Sequence, residues 1–121
     1  MRVDVSFKNM ESSDYLDNVI SKYLDRVKRR IKIFKSDDPV HLTLHIEKNY
    51  HREEYFAWVN LYLPKKVLRA QQKAPEASLS VNKVSQALIR QIDKYKVMIE
   101  RHLQRKKPKY FQDNELDLSE G

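Results

Sequence analysis

The spacing of apolar positions changes several times along the chain, and each change marks an element. Val3, Val5 and Phe7 alternate with Arg2, Asp4 and Ser6, the period of two that predicts a strand over residues 2–8. Leu16, Ile20, Tyr23, Val27, Ile31 and Phe34 then recur at helical spacing behind Ser12 and Ser13, with Asp14 and Asp17 where a helix dipole favours carboxylates. That predicts a helix over residues 13–34, broken by the segment SDDP. Val40, Leu42, Leu44 and Ile46 alternate with His41, Thr43, His45 and Glu47, a second strand, and Asn49 to Arg52 make a polar turn. In YFAWVNLYL, Ala57, Val59, Leu61 and Leu63 share one face and Phe56, Trp58 and Tyr62 the other, so the third strand is apolar on both sides. After Pro64, KVLRAQQ forms a weaker fourth strand that turns Leu68 and Ala70 inward. From Glu76 the helical period returns and runs to about Lys107, before Pro108.

This order predicts an α+β fold: βαβββα, a four-stranded mostly antiparallel sheet with two helices packed on one face. Residues 1–107 form the expected domain. Residues 108–121, PKYFQDNELDLSEG, lack a core-forming pattern and read as a mobile acidic tail.

Composition narrows the chemistry. The 121 residues suffice for one domain, and with no cysteine there is no disulfide framework, thiol nucleophile or cysteine-ligated metal. The single glycine is Gly121, which removes every glycine-rich phosphate loop, since such loops need close backbone approach. No run of about 18 apolar residues spans a membrane, and MRVDVSFKNM is not a signal-peptide core, so a cytoplasmic protein is expected. The net charge is +7, but residues 108–121 carry Lys109 against Asp113, Glu115, Asp117 and Glu120, a net of −3, leaving +10 on residues 1–107. A surplus of that size suits either a polyanion partner or a highly solvated surface.

The placement of the cations separates those options. At about 100° per residue, Val81, Val84, Leu88, Ile92, Tyr95 and Ile99 of the last helix share a sector of roughly 80°. Measured from Val81, Lys83, Arg90, Lys94 and Arg101 fall at about 200°, 180°, 220° and 200°, a cationic row opposite the core. Asp93 and Glu100 lie to its sides, so salt bridging along a solvated face explains the row less well. Lys22, Arg26 and Arg29 cluster on a flank of the first helix at spacings of four and three. Two such rows side by side would form a groove whose cations, spaced by about one helical turn of 5.4 Å, follow a phosphate backbone without reading bases.

Catalytic and metal chemistry find little here. His41 and His45 are four apart, but on a strand that separates them by about 13 Å, too far for one metal ion. His51 and His102 have no evident partners, and no nucleophile context surrounds the serines. Neither an enzyme, a cofactor nor a small-molecule substrate is therefore expected. The face of Phe56, Trp58 and Tyr62 could stack exposed bases. Packing against a thin core or contact with a protein partner is the favoured reading, and a protein-interaction module without RNA binding is the alternative function.

The run VNKVSQALIRQIDKYK over residues 81–96 resembles the second helix of the ribosome hibernation factor family, also called the ribosome-associated inhibitor or sigma-54 modulation family. Its pattern is like I-D-x-L-x-x-K-L-x-R-Q-L-x-K-x-K. Leu88, Arg90, Gln91, Lys94 and Lys96 agree directly, and Val81, Val84 and Ile92 are conservative apolar replacements. In the first helix, ISKYLDRVKR is similar to the family's V-E-K-K-L-S-K-L-E-K, placing Lys22, Arg26 and Arg29 on basic positions. Asn82 stands where the family usually has Asp, Ala87 replaces a common Lys, and Ala77 and Ser78 replace an apolar-aromatic pair. The resemblance implies a short-form member, a monomer off the ribosome, that binds the small ribosomal subunit near the decoding centre and silences translation under stress or in stationary phase. It implies phosphate contacts to rRNA from Lys22, Arg26, Arg29, Lys83, Arg90, Lys94, Lys96 and Arg101.

Overall fold

A computed structural model describes residues 1–32 and 40–105, with side chains through residue 102. The elements are β1 (Arg2–Lys8), α1 (Asp14–Arg30), β2 (His41–Lys48), β3 (Tyr55–Leu63), β4 (Lys66–Ala74) and α2 (Ala77–Arg105). The four strands lie in chain order, β1-β2-β3-β4. β1 pairs parallel with β2, because α1 carries the chain back to the starting end before β2 begins, and the two remaining pairs are antiparallel across short turns. The expected α+β order, βαβββα, is the one observed.

Alternation decides the two faces of the sheet. Leu42, Leu44, Ile46, Ala57, Val59, Leu61, Leu63 and Leu68 are buried and join Leu16, Ile20, Tyr23, Val27 and Ile31 of α1 and Val81, Val84, Leu88 and Ile92 of α2 in one core. Both helices therefore cover the same side. At the β1 edge the cover thins: Val3 and Phe7 are only half-buried and Val5 is exposed.

Ser13 caps α1, its Oγ accepting from the Leu16 N–H at 3.1 Å. The helix ends at Arg30 rather than at residue 34. Ile31 leaves helical geometry while its N–H still bonds to the Val27 carbonyl, and Lys28, Arg29 and Arg30 sit in the last turn, where the helix dipole favours cations. Ile31 remains buried, which is why apolar spacing ran on past the true end. Phe34 and the SDDP segment lie outside the described residues, as do residues 106–107 and the expected acidic tail 108–121. β4 runs two residues further than expected, to a buried Ala74. After β1 the chain turns at Asn9, φ 61°, a conformation asparagine tolerates, and its amide donates to the Lys48 carbonyl at 3.3 Å.

Among the described residues two buried hydroxyls lack a hydrogen-bond partner, those of Tyr23 and Ser85, and the tyrosine's is the one with a pH consequence. Tyr23 is 2% exposed. Burial pushes its ionisation above the ordinary tyrosine range, so the folded chain holds the proton at a pH where the unfolded chain releases it. Stability contributed by Tyr23 is complete below pH ~10 and falls as pH rises beyond it. Tyr23→Phe is expected to raise stability by about 1 kcal/mol at neutral pH and to soften the alkaline loss. Thermal melts followed by circular dichroism between neutral and alkaline pH check this, and a lower melting temperature for the variant would contradict it.

Candidate nucleic-acid interface

The two helices run side by side in the same direction. Ser13 and Leu16 at the start of α1 and Ala77 and Ser78 at the start of α2 line one cleft of about 310 Å³. Sixteen residues into each helix, Arg30 of α1 donates to Asp93 of α2 at 2.5 Å. The helices are thus level along their length. Both partners of this bridge are about half exposed, so it adds little stability, under ~1 kcal/mol, but it sets which flank of each helix faces the other.

From that bridge the cations can be placed. Asp93 lies at about 120° from Val81 around α2, so the α1 side of α2 is that flank. On the other flank, Gln91 donates its side-chain amide to the Arg69 carbonyl of β4 at 2.5 Å. Lys83, Arg90, Lys94 and Arg101 occupy the meridian between these two contacts, opposite the core, and all four are exposed. On α1, Lys22, Arg26 and Arg29 are exposed on the same side as Arg30, the flank that faces α2. Among the described residues none of these seven cations stands in an ion pair. The two clusters therefore open onto one outer surface made by both helices.

Two expected members sit apart. Lys96 falls at about 60°, on the side turned towards α1 and the core, and it is half-buried. α2 has 29 residues to the 17 of α1 and projects about 18 Å beyond its end, so Arg101 lies on the overhang with no α1 cation beside it. Arg30, which bridges the two helices, is a residue that sequence reasoning does not single out. The sequence signal was its place in the last turn, but its partner is 63 positions away.

The opposite face of the sheet is covered by no described element. It carries Phe56, Trp58 and Tyr62 on β3 and His41 and His45 on β2, which register places as direct cross-strand partners, His41 to Tyr62 and His45 to Trp58. Their ring centroids are 5.6 and 5.4 Å apart, and Trp58 also stacks on Phe56 at 5.8 Å. These rings therefore do not fill the helical core. A nitrogen of His41 lies 2.7 Å from Asp4 Oδ2, and His45 lies 2.8 Å from Ser6 Oγ and 3.4 Å from Glu47 Oε1. The two histidines thus have separate partners. Among the described residues, no group of three or more His, Cys, Asp or Glu side chains is placed to hold a metal ion, and no helix is long and apolar enough to cross a membrane.

A βαβββα domain with a mixed sheet, one helical layer and a basic outer helical surface is the class of protein these observations define. Residues 3–100 match the family described as sigma 54 modulation protein / S30EA ribosomal protein, and the chain belongs to that ribosome-associated family. The resemblance first carried by residues 81–96 therefore extends over most of the chain. Among solved structures, the chain is similar to the N-terminal domain of Protein Y from Thermus thermophilus, at 16% identity and a TM-score of 0.62, covering 78% of this chain and 99% of that one. It is also similar to a ribosomal subunit interface protein from Coxiella burnetii, at 20% identity and a TM-score of 0.63, covering 80% and 99%. At such identities the likeness is one of fold. No curated sequence matches the chain.

Proposed function

We propose that this chain is a translation-inhibiting hibernation factor of the cytoplasm, which occupies the decoding region of the small ribosomal subunit by laying its basic helices along rRNA. The observation that carries this reading is the exposed row Lys83, Arg90 and Lys94 on α2 beside Lys22, Arg26 and Arg29 on α1, seven charges with Arg101 and none paired among the described residues. Desolvation is small for such side chains, and each phosphate they neutralise releases counterions, so the row binds a polyanion without reading sequence. Family membership supports the ribosome as the source of that polyanion. Lys96, half-buried on the inner flank, adds to the local potential rather than to direct contact. On this reading residues 1–107 carry the binding, the acidic stretch 108–121 stays outside the contact, and the chain is a monomer when free.

Sedimentation of the purified chain with ribosomes through a sucrose gradient tests the proposal. The chain should travel with small subunits or whole ribosomes at low salt and be released progressively as salt rises, with an inhibition of in vitro translation that tracks occupancy. Sedimentation at the top of the gradient at every salt concentration would reject it.

A further inference from the structure

We propose that the open face of the sheet is a second site, at which the rings of Phe56, Trp58 and His45 stack the bases of a single-stranded RNA segment. Three observations lead there. The rings form one contiguous cluster on the two central strands, on the side away from both helices. They are only partly covered: Phe56 and Trp58 are half-buried and the His45 side chain is 34% exposed. Apolar and aromatic surface left open in this way on a sheet is what sequence-tolerant base stacking uses, because every base offers a flat π face.

The third observation is charge, and it chooses the partner. The cations that share this face on the two edge strands are Arg2 and Lys8 on β1 and Arg69 and Lys73 on β4. Lys73 lies directly across from Phe56, one strand spacing of about 4.8 Å away, while Arg69 and Lys8 stand diagonally to Trp58 and His45, whose direct edge-strand partners are Gln71 and Ser6. The two carboxylates on the face, Asp4 and Glu47, both lie against histidine nitrogens. Asp4 also reaches Arg2 at 3.5 Å, and Lys73 reaches Glu54 at 3.7 Å, while Lys8 and Arg69 stand in no ion pair among the described residues. An aromatic centre with a basic rim fits a strand whose bases lie inward on the rings and whose phosphates run along the rim. A protein partner would be favoured by an apolar or an acidic rim, and against its four cations this rim sets one exposed apolar side chain, Val67, and one carboxylate, Asp4. A duplex does not fit, since its bases are already stacked and hidden. That the strand is RNA rests on the ribosome reading; the stacking does not, because this face lies across the sheet from the helical rows.

The chain has a single tryptophan, so its fluorescence reports this face alone. The full chain is titrated at low salt with a single-stranded 8-nucleotide oligouridylate or oligoadenylate, and separately with an 8-base-pair RNA duplex. The single strands should quench Trp58 emission saturably, and the duplex should not. Phe56→Leu, which keeps apolar bulk without a ring, and Arg69→Glu, at an exposed edge position, should each weaken binding on the order of tenfold, by quenching and by anisotropy of a fluorescein-labelled strand. The helical reversal Lys83→Glu/Arg90→Glu/Lys94→Glu should leave the quenching in place. Absence of quenching, equal quenching by the duplex, or quenching unchanged in both sheet variants would overturn the proposal. Loss of ribosome sedimentation in the helical variant with quenching intact would show the two sites to be separate, and wild-type sedimentation without quenching would reject the sheet site while sparing the helical one.

Discussion

Replacing Lys83, Arg90 and Lys94 together by glutamate is expected to reduce ribosome affinity on the order of a hundredfold or more near physiological salt. The three side chains are exposed on the outward meridian of α2, and the variant turns three attractions into three repulsions on one surface. Because no described carboxylate engages them, reversal breaks no internal ion pair, and the fold should melt within a few degrees of the parent. The dependence of log affinity on log salt should flatten by roughly two to three units, about one for each phosphate that is no longer neutralised. An equal reversal at Arg52 and Lys65, exposed in the β2–β3 and β3–β4 connections, and at Lys66, exposed at the start of β4, changes net charge by the same amount away from the helices. It should cost far less. Gradient sedimentation of the two variants at matched salt separates position from net charge, and equal losses in both would mean that only the overall charge matters.

Leu88→Ala carries the largest expected effect on stability. Leu88 is fully buried at the centre of α2, where that helix meets α1 and the sheet, and truncation removes packed atoms and leaves a cavity bounded by both layers. The expected cost is about 2–5 kcal/mol, a large part of the ~5–15 kcal/mol that a domain of this size holds. At roughly 4–8 °C per kcal/mol the melting temperature should fall by about 10 °C or more. Val97→Ala, at an exposed position of the same helix, should move it hardly at all. Thermal or urea unfolding of the pair measures the difference; similar, small losses would show that α2 does not lie on the sheet as described.

Much of this was legible in local spacing. The alternation in HLTLHIE and YFAWVNLYL separated the two faces of β2 and β3, because a strand sends successive side chains to opposite faces whatever its neighbours are, but β3 is apolar on both sides and only the structure showed that the helices cover Ala57, Val59, Leu61 and Leu63. The angular argument on α2 likewise put Val81, Val84, Leu88 and Ile92 inside and Lys83, Arg90 and Lys94 outside. Lys96 shows the limit of a motif: it matched a family pattern by position, while its own angle already set it apart from the row. The end of α1 was misjudged because Ile31 is buried after the helix has stopped, and burial does not distinguish a last helical turn from a packed residue just beyond it.

The chain by itself determined which side of each strand and helix is apolar and which cations share a meridian, since those follow from a repeat of two or of 3.6 within one element. Only the tertiary structure decided which elements lie together. The parallel pairing of β1 with β2, the Arg30 to Asp93 bridge that levels the helices, and the seating of His45 against Trp58 join residues 39, 63 and 13 positions apart respectively. Such contacts depend on the packing of all layers at once, and no spacing within a segment encodes them.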